Sequence, residues 1–259
     1  MNIITFVVVL VACTIYLSSC TETSDDLLRI HAAIKQKLPI SALLEDVPRD
    51  ALNLPIPRLP SQNTLLHAAA SVADERYSVQ AVKALLLHHG GDTSRLINEK
   101  GQTPVYLAAV RGHLDVIRLL IAAQRVDDEL AKPSQAACSP SVAGWTPLHA
   151  AAHRGHSEVV QYLIHEVGCP ISAVTSKQFT AVHLAVQGGW MEVVTLLMAS
   201  LTTQEAQADA LAQKTACSHT PGAIARLRKD EDMMAVLRTW GSTDLEDDVV
   251  PSALLSIDH

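Results

Sequence analysis

Apolar positions recur along the chain at a helical period, in short segments separated by glycine. After Gly155 they are Val159, Val160, Leu163 and Ile164; after Gly112, Val116, Ile117, Leu119, Leu120 and Ile121; after Gly189, Val193, Val194, Leu196 and Leu197. That spacing places one apolar stripe on each of three amphipathic helices. Ahead of each glycine lies a shorter, alanine-rich segment, of which TPLHAAAHR from Thr146 is the clearest. The hydroxyl of Thr146 can cap a helix, and Pro147 falls at the first helical position, where a missing N–H costs nothing. Ala150, Ala151 and Ala152 keep that helix thin enough for close packing, and Gly155 can take the left-handed conformation of a tight helix-to-helix turn. The pattern predicts a unit of turn, thin helix, tight turn and amphipathic helix.

The unit recurs. NTLLHAAA, QTPVYLAAVRGH, WTPLHAAAHRGH, FTAVHLAVQGGW and HTPGAIARLR begin at residues 63, 102, 145, 179 and 219, and their threonines (Thr64, Thr103, Thr146, Thr180 and Thr220) lie 39, 43, 34 and 40 residues apart. A fixed recurring unit outweighs any local reading. This pattern resembles the ankyrin-repeat family, with its Thr-Pro-Leu-His-x-Ala-Ala, Gly-His and paired Val-Val and Leu-Leu positions and its period of about 33 residues. The resemblance is strongest over 101–200 and extends over 62–241. It implies an all-α solenoid of stacked helix-turn-helix units with short β-hairpin tips, in which the histidine of the signature is buried and hydrogen-bonds neighbouring repeats through the threonine and backbone. His67, His149 and His183 fall on that histidine, with Tyr106 in place of a fourth, and His113 and His156 fall on the Gly-His position. His149, His153 and His156 share helical spacing that could offer imidazoles to zinc, but the repeat accounts for two of them. Only His153 stands at a variable position, so no metal and no cofactor is expected. His88 and His89 close a helix, where imidazolium suits the dipole.

The irregular parts frame the array. SDDLLRIHAAIKQKLPISALLEDVP, from Ser24, reads as a degenerate helix pair with Leu27, Leu28, Ile30, Ala33 and Ile34 on one stripe, followed by a proline-rich connector. Residues 21–61 are thus a cap, as stacked repeats need; 62–241 are the repeat domain, and 242–259 an acidic flexible tail. About four extra residues near Asp74–Ser78 should loosen the first repeat. An insertion over 122–143 maps to one side of the solenoid, as a contact loop or a disordered excursion, and 200–217 reads as an added helix.

Composition narrows the function. The chain of 259 residues is 48% hydrophobic but 3% aromatic, so its core is aliphatic, and its formal charge of −7 comes without any run of Lys and Arg to follow a phosphate backbone. Nucleic acid is therefore not an expected partner. Cysteines 13, 20, 138, 169 and 217 form no Cys-x-x-Cys pair and suggest neither zinc ribbon nor disulfide framework; small buried residues are expected. No Gly-rich phosphate loop, nucleophile elbow or His-Glu-x-x-His is present, so an enzyme is not expected. Residues 1–20, MNIITFVVVLVACTIYLSSC, form an apolar leader without charge. They read as a signal peptide, a lipoprotein signal ending at a lipidated Cys20, a retained membrane anchor, or a leader that is never made. The family resemblance implies a monomeric scaffold that binds a protein partner on its concave surface, through Gln102, Val110 and Arg111 of one repeat, Trp145, His153 and Arg154 of the next, and Phe179 and Gln187 of the third. The alternative is a secreted or membrane-anchored envelope ankyrin lipoprotein acting as an inhibitor or protective factor, associated with the membrane through residues 1–20. Localisation follows the leader: envelope or secretory compartment if it is real, cytoplasm otherwise.

Overall fold

The computed structural model describes residues 24–242 apart from 46, 58–60, 90–95 and 125–136. The leader with Cys20, most of the long insertion and the tail beyond residue 242 lie outside the described residues. Five helix pairs stack in two layers. The inner helices are α3 (Leu65–Ala70), α5 (Pro104–Arg111), α7 (Pro147–Arg154), α9 (Ala181–Gly188) and α12 (Pro221–Arg228). Their outer partners are α4 (Glu75–His89), α6 (Leu114–Gln124), α8 (Ser157–His165), α10 (Met191–Ser200) and α13 (Glu231–Thr239). Inner helices pack in sequence, α3 on α5, α5 on α7, α7 on α9 and α9 on α12, and the outer layer runs in the same order.

Alanine makes the inner layer possible. Ala69, Ala109, Ala151, Ala152, Ala185 and Ala225 are wholly buried between successive repeats, where longer side chains would push the helices apart. The outer layer supplies the bulk: Val159, Val160 and Leu163 of α8 are buried, as are Val193, Val194 and Leu197 of α10. Each such side chain contributes about 1.5–3 kcal/mol.

Successive repeats are joined at their tips as well. Each tip is a tight turn, closed for example by the Ser141 N–H on the Trp145 carbonyl at 2.9 Å. Each then donates to the tip before it: Val142 N–H to Lys100 O, Ser176 N–H to Ala143 O, and Ala216 N–H to Lys177 O, all at 3.0 Å. The tips are hairpin-like, but among the described residues they are too short to register as strands.

The ends are capped by added helices. Helix α1 (24–35) buries Leu27, Ile30, Ala33 and Ile34, and α2 (Ser41–Leu44) with a 3₁₀ turn at Arg49–Asn53 continues over α4. The stretch expected to loosen the first repeat instead fastens it to this cap. Tyr77 donates its hydroxyl to Leu38 O at 2.7 Å and Lys37 meets Asp74 at 3.0 Å, while within the repeat buried Ser78 donates to Ala69 O at 2.7 Å and ties α4 to α3. The residues read as an added helix form α11 (Gln204–Ala212), which packs on α12.

One expectation fails outright. Cys138 and Cys169 form a disulfide, with Cα atoms 5.6 Å apart. Spacing motifs could not reveal this pair, because 31 residues separate the cysteines and the insertion returns one of them to the stack. Cys217 is free and exposed rather than buried; Cys13 and Cys20 lie outside the described residues.

Candidate partner-binding surface

Two rows of hydrogen bonds run along the inner layer and decide which inner side chains remain available. In the first row, Thr146 donates its backbone N–H to Nδ1 of His149 at 3.2 Å, and its hydroxyl lies 2.8 Å from the same nitrogen. Nδ1 therefore accepts, and the proton sits on Nε2, which donates forward to Ala173 O at 3.0 Å and Phe179 O at 3.1 Å in the next repeat. His67 repeats this toward Gln102 O at 2.8 Å, and His183 toward Gln213 O at 3.0 Å and His219 O at 3.2 Å. Desolvation by burial disfavours charge on all three imidazoles and lowers their pKa values, to about 4 for His67 and His183.

The second row points the other way. Nε2 of His113 donates to Val72 O at 2.6 Å, Nε2 of His156 to Val110 O at 3.2 Å, and the indole of Trp190 to His153 O at 2.9 Å; Arg228 donates to Gln187 O. Every acceptor belongs to the end of the preceding inner segment, where carbonyls lack helical partners. Trp190 fits only because two glycines make room for it. A Cβ on Gly155 would lie 2.3 Å from its ring, and one on Gly188 would lie 2.2 Å away.

The forward row breaks at Tyr106. Its backbone N–H meets the Thr103 hydroxyl as in the other repeats, but among the described residues its side chain makes no hydrogen bond to the next repeat. At this joint the inner face opens into a cavity of about 700 Å³ between α5 and α7 and their tips. Tyr106, Leu107, Val110, Val142 and Trp145 make its wall largely apolar. Val142, at the lip, is 80% exposed. Trp145 stands edge-on to His153, ring centres 5.6 Å apart. The Nδ1 of His153 is buried without a partner, and desolvation followed by the nearby charge of Arg154 holds its pKa below the ordinary value.

Five of the eight residues singled out for binding line this one cavity: Gln102, Val110, Trp145, His153 and Arg154. Arg111 is exposed at the end of α5. Phe179 is half-buried, edge-on to His183 at 6.0 Å, and its carbonyl serves the forward row; Gln187 is exposed one joint further on, its carbonyl held by Arg228. Periodicity did not single out Lys100, Tyr106, Val142 or Trp190 as site residues. The doubled glycine before Trp190 was the one available sign that a large ring needed space. His149 reaches forward to the next repeat while His153 and His156 face the preceding one, and among the described residues no three potential ligands converge to hold a metal.

The model of ankyrin repeats matches the chain in three overlapping copies, over residues 30–131, 65–175 and 126–209. No curated protein matches it significantly. The pair α12–α13 lies beyond the matched residues yet repeats the same cap, turn and reach-back contacts.

Proposed function

Because the chain belongs to the ankyrin-repeat family, whose members are in general protein–protein interaction modules, we propose that a single copy of it acts as a non-catalytic scaffold and seats a protein partner on its inner face, centred on the cavity beside Trp145. The observation that carries this reading is the coincidence of three features at one joint: the broken histidine row, an apolar cavity large enough for a side chain, and a half-buried tryptophan in its wall. Buried aromatic anchors in pockets commonly carry interface energy. The test is cross-linking and capture from the source organism with the wild-type chain, Trp145→Ala, and Trp145→Ala combined with Phe179→Ala. The reading expects the partner to be lost from Trp145→Ala while its melting temperature stays close to wild type. Unchanged capture by both variants would overturn it.

A second reading, of compartment, is favoured by the Cys138–Cys169 disulfide. Disulfides persist in oxidising compartments and are rare in the cytosol, which fits a leader over 1–20 that delivers the domain to a secretory or envelope location, as a secreted protein or a lipoprotein modified at Cys20. Among the described residues no helix is long and apolar enough to cross a membrane, and the leader lies outside them. Intact mass after alkylation with and without reductant, taken on chain from the membrane and soluble fractions of its native host, tests this. A reduced, uncleaved chain in the soluble fraction would discard it.

A further inference from the structure

The chain as a whole is acidic, with 27 Asp and Glu against 20 Lys and Arg, but folding keeps the carboxylates off the inner helices. The five inner helices carry Arg111, Arg154, Arg226 and Arg228 and not one carboxylate. Their tips add Lys100 and Lys177 in the same register, against Glu99 alone. Every outer helix, by contrast, has an acid in its first turn (Glu75, Asp115, Glu158, Glu192 and Glu231), beside the cations Arg76, Lys83, Arg118 and Arg238, so the outer helices are mixed where the charges of the inner ones are cationic alone. Cations one or two repeats apart in sequence thus fall in the inner layer and its tips, although no run of them exists along the chain.

Part of this placement has an internal cause. Arg111, Arg154 and Arg228 end their helices, where a cation is favoured by about 0.3–1 kcal/mol through the helix dipole. That cause does not extend to Lys100 and Lys177, which stand on tips. Nor does it neutralise the arginines: among the described residues no carboxylate forms an ion pair with Arg111 or Arg154, and both are exposed. Beside them opens the apolar cavity, whose charged lining is Lys100 and Arg154 against the single carboxylate of Glu99.

We propose that the inner face recognises an acidic segment of a partner protein, its carboxylates spread along the line of Arg and Lys and an aliphatic side chain seated in the cavity between Tyr106 and Trp145. This rests on the reading of the inner face as the partner surface and adds the chemistry of what it takes. The carboxylates supply steering and register, since charges at an interface rim act mainly on the encounter. The apolar cavity supplies the anchor. A nucleic acid would satisfy the cations but not a cavity walled by Leu107, Val110 and Val142.

The test uses fluorescence anisotropy on the full chain with three labelled probes: a peptide of repeated Glu-Glu-Leu triplets, its Lys-Lys-Leu counterpart, and a single-stranded RNA. The acidic peptide is expected to bind and the basic one not. Arg111→Glu combined with Arg154→Glu should weaken the acidic probe about tenfold or more, Trp145→Ala should weaken it several-fold, and raising salt from about 0.05 to about 0.5 M should do the same as charge reversal. Both arginines are exposed, so the double variant should stay folded, its melt lowered only by what the two helix ends lose with their cations; Arg111→Gln combined with Arg154→Gln, which places no anion there, should weaken the acidic probe in the same direction. Equal binding of the two peptides, indifference to charge reversal, or preference for RNA would overturn the proposal. Capture of cross-linked partners from the source organism separates the two readings. Partners lost from Trp145→Ala but retained by the double Glu variant leave the inner surface standing and remove its acidic preference. Partners retained by both variants remove the surface too.

Discussion

The two rows of inter-repeat hydrogen bonds do comparable work under different constraints. Along the forward row the donors are imidazoles, buried at His67, His149 and His183, each accepting on one ring nitrogen and donating from the other. Along the backward row the donors are two imidazoles and an indole at equivalent positions, and a guanidinium that starts two residues earlier, from the end of the inner helix. A fully buried joint must satisfy both edges of the ring that enters it, and few side chains can. The backward row needs only a donor, and at His156, Trp190 and Arg228, though not at buried His113, water can serve what is left. The lesson is that burial, more than the contact itself, sets how strictly the residue type is specified.

Acid should separate the rows most strongly. Burial holds His67 and His183 at about 4, below the ordinary value of 6.5, so between those values the unfolded chain binds more protons. The stability these groups contribute is complete above about pH 6.5 and is lost as pH falls toward 4, at up to about 3 kcal/mol for each. Urea titrations at a series of pH values should show this fall, with a shallower slope for His183→Gln. Equal slopes would mean that the forward row does not govern acid sensitivity.

Next in size is the room made for the tryptophan. Gly155→Ala places a methyl 2.3 Å from the Trp190 ring at a φ of 78°, and a loss of about 3 kcal/mol is expected from strain and overpacking together. In a Trp190→Ala background, where no ring fills that space, the same substitution should cost only about 1 kcal/mol of backbone strain. Chemical denaturation of the four-member cycle reads this directly, and strict additivity would show that the two positions do not meet.

Smaller effects test the tolerance of the backward row. Trp190→Ala removes the indole donor and its packing and should cost about 2 kcal/mol. Trp190→His should cost under about 1 kcal/mol, since His113 and His156 perform the same task from the same position. A histidine that proves as costly as alanine would make the indole's area, rather than its hydrogen bond, the reason for its presence.

Most of the repeat architecture was legible before any coordinates. Thr146, Pro147 and Gly155 each act within a few residues, so periodicity and capping chemistry reveal them. The cavity was partly legible: Trp145, His153 and Arg154 stood out as positions the repeat does not dictate. What stayed hidden depends on stacking. Tyr106 reads as a substitution in the signature, and only the neighbouring repeat shows that it opens a joint. Lys100 and Lys177 share a face through the tip ladder, Trp190 reaches back 37 residues to His153, and Cys138 meets Cys169 only because the insertion returns to the stack. Of these only Trp190 has a local marker, the doubled glycine before it.

The disulfide encloses a whole repeat. Helices α7 and α8 lie between Cys138 and Cys169, so the central unit of the array is a covalent ring. A solenoid comes apart one unit at a time, each loss exposing the next, and fraying ordinarily starts at the ends. Here an unzipping front arriving from either terminus meets a unit whose open form is restricted by its own closure. In an oxidising medium the last part of this molecule to unravel should be the repeat that carries Trp145.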